Sequence, residues 1–306
     1  MKVAITGATG FVGSLLVEKL KAEGAQILVL TRNEERGKKI FPSMVFPNVE
    51  VIKYNPKESG NWQEKISGCD GVVNLAGQPI AEKRWTAEEK QEILESRQLG
   101  TRKIVEAITQ ANPKPTVLIN ASAIGYYGTS ETATFDENSS PGNDFLAEVC
   151  QKWEGEAQKV QVVGVRLVIF RLGIVLGDGG ALAKMITPFK LYAGGPLGNG
   201  RQWFSWIHRE DVVNLILSAL KNPQQRGTFN ATAPNPVRMS ELCATLGEVM
   251  GRPSWLPVPG LALEMLLGEG AKVVLEGQQV LPIKTQSTEF TFQYPTLKPA
   301  LLDIIT

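Results

Sequence analysis

The stretch AITGATGFVG, residues 4–13, places three glycines between a short apolar run and the start of a helical pattern. Gly7 permits a tight turn, Gly10 lets the backbone approach a pyrophosphate without a Cβ, and Gly13 lets the helix pack closely on the strand. The helix N-terminus then offers free N–H groups to phosphates. With a strand before it and a helix after it, this spacing predicts a dinucleotide-binding loop rather than a structural glycine turn.

The second predicted strand ends in LTRNEER, with Thr31 and Arg32 where an NAD-specific site usually has an acid for the ribose 2′-hydroxyl. A guanidinium suits a 2′-phosphate and stacks well on adenine. The residues therefore predict NADP(H) as cofactor. The alternative is a solvated surface arginine at a strand end.

Strand-like and helix-like segments alternate through the first half of the chain. The apolar runs KVAIT, AQILVLT, VEVIKY, GVVNLA and TVLINAS are each bounded by Gly, Asn or charge, and helical periodicity fills 12–20 and 86–109. This alternation predicts an α/β protein with a Rossmann-type, doubly wound parallel sheet. Residues 1–177 are predicted to form the NADP-binding domain.

Residues 178–306 differ in character, with Gly- and Pro-rich loops between helix patterns at 210–222 and 240–251. We expect them to form a smaller C-terminal, substrate-side lobe, with some elements returning to the first domain. The final segment, EFTFQYPTLKPALLDII, predicts a short strand and a last helix.

Bulk properties exclude several classes of protein. The formal net charge of +1 over 306 residues gives no basis for a nucleic-acid partner. The apolar run at 162–177 is interrupted by Arg166 and Arg171, so it predicts a buried strand and its exit loop rather than a membrane span. Three scattered cysteines and one histidine predict a reducing, cytoplasmic setting without a metal site. A first strand at residue 2 leaves no expected signal peptide.

Five motifs together resemble the extended branch of the short-chain dehydrogenase/reductase superfamily, of the NAD-dependent epimerase/dehydratase type, over nearly the whole chain. They are TGATGFVG, NLAG (74–77), INASAIGYYG (119–128), FRLGIVLG (170–177) and WIHREDVVNLI (206–216). The resemblance implies that Ser122 is the catalytic serine. The positions assigned to the cofactor, from the glycine loop and from this resemblance, are Gly7, Thr9, Gly10, Phe11, Val12, Gly13, Thr31, Arg32, Leu75, Ala76, Gly77, Arg97, Ala121, Cys150, Leu172 and Gly173.

The helix DFLAEVCQKWE (144–154) resembles an atypical subgroup of that family, in which the catalytic Tyr and Lys are lost and an Arg replaces an upstream Asn. Some relatives in this subgroup carry a cell-division inhibitor label. Taking Glu154 as the family's helix glutamate puts Leu146 at the Tyr position and Cys150 at the Lys position. A shifted register on Glu156 gives Glu148 and Lys152 instead.

The first register is favoured because it places the apolar residues of the helix on one inward stripe, with Lys152 pointing away. The stripe consists of Phe145, Leu146, Val149, Cys150 and Trp153. In this register Leu146 cannot transfer a proton and Cys150 has no permanent charge. The simplest interpretation of Cys150 is a small buried residue without chemistry.

The remaining catalytic candidates are Ser122, Tyr126, Tyr127 and Arg97. Ser122 orients a carbonyl or merely bonds backbone at the strand end. Either tyrosine supplies the missing phenol or packs in its loop, and His208 is expected to anchor the loop before its helix. Arg97 binds an anionic substrate group or a cofactor phosphate, or else forms a salt bridge to Glu95 or Glu154.

Two functions from different classes follow. One is an NADP(H)-dependent reductase, epimerase or dehydratase acting on a small molecule, and this hypothesis is favoured because the motifs at the nicotinamide end persist. The other is a catalytically silent, NADPH-binding regulator of the cell- or plastid-division inhibitor type, with a protein partner. The sequence leaves the substrate, the reaction and the oligomeric state open.

Overall fold

A computed structural model describes all residues from Met1 to Thr306. Its centre is a seven-stranded sheet in the order β11-β7-β5-β4-β1-β2-β3, in which every neighbouring pair is parallel. The strands are β1 (Lys2–Thr6), β2 (Gln26–Thr31), β3 (Val49–Lys53), β4 (Gly71–Asn74), β5 (Val117–Ala123), β7 (Arg166–Leu172) and β11 (Gly227–Ala231). The predicted α/β class with a doubly wound parallel sheet is confirmed.

Helices cover both faces of the sheet, because the strands are largely apolar and so present apolar side chains to both faces. On one face, α1 (Phe11–Ala22) and α6 (Arg209–Lys221) pack on a cluster that includes Val3 and Ile5. On the other face, α3 (Ala87–Gln110) and α4 (Phe145–Gln158) pack on a cluster that includes Ala4. The short α2 (Glu34–Ile40) follows β2 and packs against β3.

Strand order reverses at β1, which has β2 on one side and β4 on the other. In open α/β sheets, ligands bind outside the carboxyl ends of the strands at this switch point. The glycine loop follows β1 directly, so the topology places it at the predicted crevice.

The second half of the chain builds a separate apolar cluster and also completes the sheet through β11. The cluster joins α5 (Gly180–Lys190), α7 (Met239–Met250) and α11 (Leu297–Ile305). The remaining elements are β6 (Thr134–Phe135), β8 (Ile174–Leu176), β9 (Trp203–Phe204), β10 (Trp206–His208), β12 (Val237–Arg238), α8 (Gly260–Leu267), α9 (Lys272–Leu275), β13 (Gln279–Val280) and α10 (Ile283–Gln286). None of the helices has the length and apolar character needed to cross a membrane.

The strand predicted within EFTFQYP is wrong, since residues 289–295 contain no strand. Phe290 and Phe292 instead pack edge to face against each other, on the edge of the main cluster. The backbone N–H groups of Gln293 and Tyr294 both donate to the Asp211 carboxylate, at 2.7 and 3.0 Å. A side chain thus satisfies the backbone donors that a strand partner would have taken.

Candidate functional site

Each of the three glycines of the loop is required by, or fits, a different feature of the structure. Gly7 has a φ of +71°, and a Cβ there would lie 2.9 Å from the Leu75 carbonyl carbon. A Cβ on Gly13 would lie 2.3 Å from the Gly7 carbonyl oxygen, so only glycine lets α1 start so close to the turn. A Cβ on Gly10 would meet only the Gly7 oxygen, at 3.1 Å, and otherwise open space. That space is where a pyrophosphate fits.

The first turn of α1 is open to a ligand. No side chain caps its N-terminus and no acidic residue lies in its first turn, so its N–H groups and dipole are available to an anion. Thr9 is partly exposed beside it, and Val12 packs against the main cluster. The Phe11 ring contacts the turn at Gly177 and lies 4.9 Å from the Arg209 guanidinium carbon.

Arg209 is a cationic residue beside the glycine loop that the sequence motifs did not single out. Its Nη2 donates to Ser14 Oγ at 3.4 Å, while its Nε is buried without a partner. Arg209 lies in the motif WIHREDVVNLI, and nothing in that motif indicates that its side chain reaches residues 11–14. The Arg209 guanidinium, with one N–H group free, adds positive charge next to the uncapped N-terminus of α1.

The end of β2 presents an exposed arginine. Thr31 Oγ1 donates to the Asn33 carbonyl at 3.3 Å, and Asn33 in turn caps α2. Arg32 is exposed and forms no ion pair, because Glu34 in the same turn is paired with Lys38. The guanidinium is thus free to meet a phosphate, and its assignment to a 2′-phosphate stays a prediction.

A buried polar cluster fixes the strand ends between the glycine loop and β5. Thr6 Oγ1 donates to Asn74 Oδ1 at 2.6 Å, and Asn74 Nδ2 donates to Thr101 Oγ1 and Asn120 Oδ1 at 2.9 and 2.7 Å. Thr6 Oγ1 also accepts from the Ala76 N–H at 3.2 Å. Because these groups satisfy one another, they hold the carboxyl edge rigid and offer little to a ligand.

Arg97 lies on α3 against the strand end at Gly77, where a Cβ would lie 3.0 Å from its Cζ. Its Nη1 donates to the carbonyls of Gln78 and Ile93, at 2.9 and 3.1 Å. The guanidinium carbon lies 5.2 Å from the ring centroid of Trp153, whose own N–H is buried without a partner. Burial lowers the pKa of Arg97 to about 10.

The salt bridges considered for Arg97 from the sequence are absent. Glu95 pairs with Lys57 at 2.9 Å, and Glu154 pairs with Arg171 at 2.8 Å. Arg97 is half-buried, so its charge is partly removed from water without a carboxylate to pair with it. This marks Arg97 as a candidate for binding a ligand.

The helix α4 places Leu146 and Cys150 inward. Leu146 packs on the turn at Gly125, and the Cys150 Sγ lies 3.6 Å from the Ala123 carbonyl. Burial raises the pKa of the Cys150 thiol to about 11, so it stays neutral at physiological pH. Lys152 is exposed and pairs with Glu148 at 2.6 Å, away from the crevice.

Ser122 is not a free hydroxyl. It is buried, and its Oγ donates to Glu154 Oε1 at 2.6 Å. Arg171 holds the same carboxylate in a two-pronged pair, with Nε and Nη2 each 2.8 Å from an oxygen. Sequence reasoning missed this pair, although an arginine inside an apolar strand was a signal that a buried partner must exist.

The two tyrosines after Ser122 have different environments. Tyr127 is buried, donates to Asn230 Oδ1 at 2.7 Å and accepts from Arg171 Nη1 at 3.0 Å. Burial raises its pKa to about 12. Tyr126 is partly exposed, and the Arg171 guanidinium carbon lies 3.3 Å from its ring centroid. No protein group is hydrogen-bonded to its hydroxyl, so Tyr126 is the phenol available to a ligand.

The other predicted positions line the same edge through their backbone. Ala121 is buried in β5, and Leu172 ends β7. The N–H of Gly173 donates to the Ala231 carbonyl at 2.9 Å, and a Cβ there would lie 2.7 Å from the Ser205 oxygen. His208 caps α6, since its Nδ1 accepts from the Glu210 N–H at 3.2 Å.

A parallel sheet with a glycine loop at its switch point, an open helix N-terminus and a serine at the end of β5 defines the class: a Rossmann-type protein of the short-chain dehydrogenase/reductase kind. The chain belongs to the NAD dependent epimerase/dehydratase family, whose profile matches residues 3–232. Residues 258–304 match a domain of unknown function, DUF1731. The resemblance found in the motifs is thereby confirmed.

Relatives match along the whole chain. It is 53% identical to the "Epimerase family protein SDR39U1 homolog, chloroplastic" of Arabidopsis thaliana, covering 100% of this chain and 87% of that protein. It is 40% identical to the "Epimerase family protein YfhF" of Bacillus subtilis (strain 168), covering 100% and 98%. Among solved structures, human epimerase family protein SDR39U1 (isoform 2) with NADPH is 32% identical, with a TM-score of 0.86 and 99% of each chain covered.

Proposed function

We propose that this protein is an NADP(H)-dependent oxidoreductase or epimerase of the atypical short-chain dehydrogenase/reductase subgroup, acting on a small molecule. The observation that supports it best is a series of positively charged or positively polarised groups along the carboxyl edge of the sheet that have no anion to pair with. Arg32, the first turn of α1 and Arg97 all lack anionic partners within the protein. The phosphates of a phosphorylated dinucleotide supply acceptors for Arg32 and for the first turn of α1. The human relative of known structure was solved with NADPH.

Each part of the crevice has a separate role in holding the cofactor. The loop at Gly7 and Gly10 takes the pyrophosphate, and Arg32 takes the 2′-phosphate. Arg97, Leu146 and Cys150 border the nicotinamide half, where Leu146 and Cys150 exclude water. Bound NADPH supplies a hydride for transfer to a carbonyl carbon.

The proton for the carbonyl oxygen then comes from this chain or from water. Tyr126 is the group best placed to donate it, because its hydroxyl is free while Ser122 and Tyr127 already donate to Glu154 and Asn230. A proton from solvent then restores the phenol.

A second candidate function is a catalytically silent regulator whose contacts with a protein partner depend on bound NADPH. The hydrogen bond from Ser122 to Glu154 favours it, since the family's catalytic serine is occupied and Leu146 carries no proton. The partner proposed is a protein of the cell- or plastid-division machinery, because some members of the atypical subgroup that this chain resembles are named cell-division inhibitors.

Calorimetric titration followed by turnover measurement separates the two. NADPH, NADP⁺ and NADH are titrated first, and loss of reduced-nicotinamide absorbance is then followed across a library of carbonyl compounds. Turnover supports the enzyme, whereas tight NADPH binding without turnover across the library supports the regulator. If no nicotinamide dinucleotide binds, both candidate functions are wrong.

A further inference from the structure

Arg97 is a half-buried cation whose charge is not compensated by a carboxylate of the protein. The nearby carboxylates of Glu95 and Glu154 are committed to Lys57 and Arg171. The other titratable group coupled to Arg97 is the Cys150 thiol, which stays neutral because burial raises its pKa to about 11. The pKa of Arg97, lowered to about 10 by burial, still leaves the guanidinium protonated at neutral pH.

The contacts of Arg97 place it on one side of the switch point. The Gly7 turn touches the backbone of Leu75, and Gly77, two residues further along, lies against the guanidinium of Arg97. These residues follow β4, which lies on the opposite side of β1 from β2. A dinucleotide with its adenine half at the end of β2 therefore has its nicotinamide half near Arg97.

We propose that Arg97 makes the site selective for the redox state of its dinucleotide, so that NADPH binds more tightly than NADP⁺. The inference rests on the proposed cofactor function. The oxidised nicotinamide ring carries a positive charge and the reduced ring is neutral, whereas the rest of the two molecules is the same. A partly desolvated guanidinium without a counter-ion repels the oxidised ring and leaves the reduced ring unaffected.

A preference for NADPH over NADP⁺ suits both candidate functions. In an enzyme it favours reduction of the substrate, because NADP⁺ leaves readily after hydride transfer. In a regulator it makes occupancy depend on the ratio of reduced to oxidised dinucleotide. Arg97 is thus a specificity-determining residue in either case.

Calorimetric titration of NADPH and NADP⁺ at low ionic strength tests the inference on three proteins: the unchanged chain, Arg97→Gln and Arg97→Lys. The unchanged chain is expected to prefer NADPH by about tenfold, the factor of a partly screened charge interaction. Arg97→Gln removes the charge and is expected to bring the two affinities within about threefold. Arg97→Lys keeps the charge and is expected to keep most of the preference.

Arg32→Ala is the matched control, because both dinucleotides carry the 2′-phosphate and should weaken equally. Equal affinities in the unchanged chain, or a preference that survives in Arg97→Gln, overturn the inference while leaving the proposed function intact. A change confined to the KM of a substrate assigns Arg97 to the substrate and also overturns it. If neither dinucleotide binds the unchanged chain, the proposed function fails and takes this inference with it.

Discussion

The two ends of the crevice differ in what their polar groups are bonded to. At the ends of β1 and β2, the first turn of α1 and Arg32 have no anionic partner in the protein. At the ends of β5 and β7, Ser122 donates to Glu154 and Tyr127 donates to Asn230. The ends of β1 and β2, called the phosphate end after the proposed function, thus have polar groups that are free for a ligand. The polar groups at the ends of β5 and β7, called the catalytic end, are mostly bonded to one another.

This difference shows why a motif alone does not establish an activity. The run SAIGYYG keeps its serine and tyrosines, yet the hydrogen bonds of two of the three hydroxyls are taken up internally. Arg97 and Tyr126 are the exceptions at this end. The guanidinium of Arg97 has no carboxylate partner, and the hydroxyl of Tyr126 has no hydrogen-bond partner in the protein. Five substitutions separate the two ends experimentally.

The largest effect is expected from Glu154→Gln, at the catalytic end. It leaves Arg171 buried without its carboxylate, and losing one partner of a buried ion pair typically costs about 3–5 kcal/mol. Both side chains are about 5% exposed or less, so solvent cannot replace the lost partner. Urea unfolding measures the change in the free energy of unfolding.

Glu148→Gln is the control for this prediction, because it breaks the solvent-exposed pair with Lys152 on the same helix. Exposed pairs contribute about 0–1 kcal/mol. If the two variants lose similar stability, the buried network does not hold the catalytic end together.

At the phosphate end, Gly10→Val is expected to weaken NADPH binding about a hundredfold or more, while the fold stays intact. The backbone of Gly10 is extended, with φ −90° and ψ −178°, a conformation that valine adopts readily, and the close contact of its Cβ with the Gly7 oxygen at 3.1 Å requires only a small shift. Its methyl groups occupy the space proposed for the pyrophosphate. Calorimetry measures the affinity, and circular dichroism checks the fold.

Gly155→Ala serves as the comparison, since a Cβ there meets no atom within 4 Å. It should bind NADPH as the unchanged chain does. Normal NADPH binding by Gly10→Val, with Gly155→Ala also normal, shows that no phosphate lies on the glycine loop.

The sequence predicts the backbone geometry of the glycine loop but not the buried contacts at the ends of β5 and β7, and the reason is physical. Gly7, Gly10 and Gly13 act through backbone geometry within ten residues, so their spacing carries the information. Glu154 and Arg171 act through a contact between a helix and a strand, and no local spacing reveals which carboxylate meets which guanidinium. The same applies to Asp211, whose carboxylate takes backbone donors from residues 293 and 294 and thereby replaces the predicted strand.

A smaller effect at the phosphate end is expected from Arg32→Ala. The unchanged chain should bind NADPH at least tenfold more tightly than NADH, which corresponds to about 1.4 kcal/mol. The variant should lose this preference, because the guanidinium that meets the 2′-phosphate is gone. Titration of both cofactors is the measurement, with Lys39→Ala as a control because Lys39 is exposed at the far end of α2. A preference that persists in Arg32→Ala assigns the 2′-phosphate to another residue.

The smallest effect is expected from Cys150→Ser, at the catalytic end. The thiol is buried, its Sγ lies 3.6 Å from the Ala123 carbonyl, and its pKa is raised to about 11. Because the neutral thiol is an inert, small side chain, NADPH affinity and any turnover should change by about twofold or less, an effect below about 0.5 kcal/mol. For the same reason, alkylation of Cys150 should be slow and show no titration step between pH 6 and pH 9.

Arg97→Ala, measured beside Cys150→Ser, should lose more turnover. A charge-assisted hydrogen bond to a ligand is typically worth about 1.5–3 kcal/mol, whereas the cysteine provides no charge and no proton relay. The reverse result, an inactive Cys150→Ser with a normal Arg97→Ala, would make the cysteine catalytic. The catalytic end would then hold a reactive group of its own, and the contrast between the two ends of the crevice would disappear.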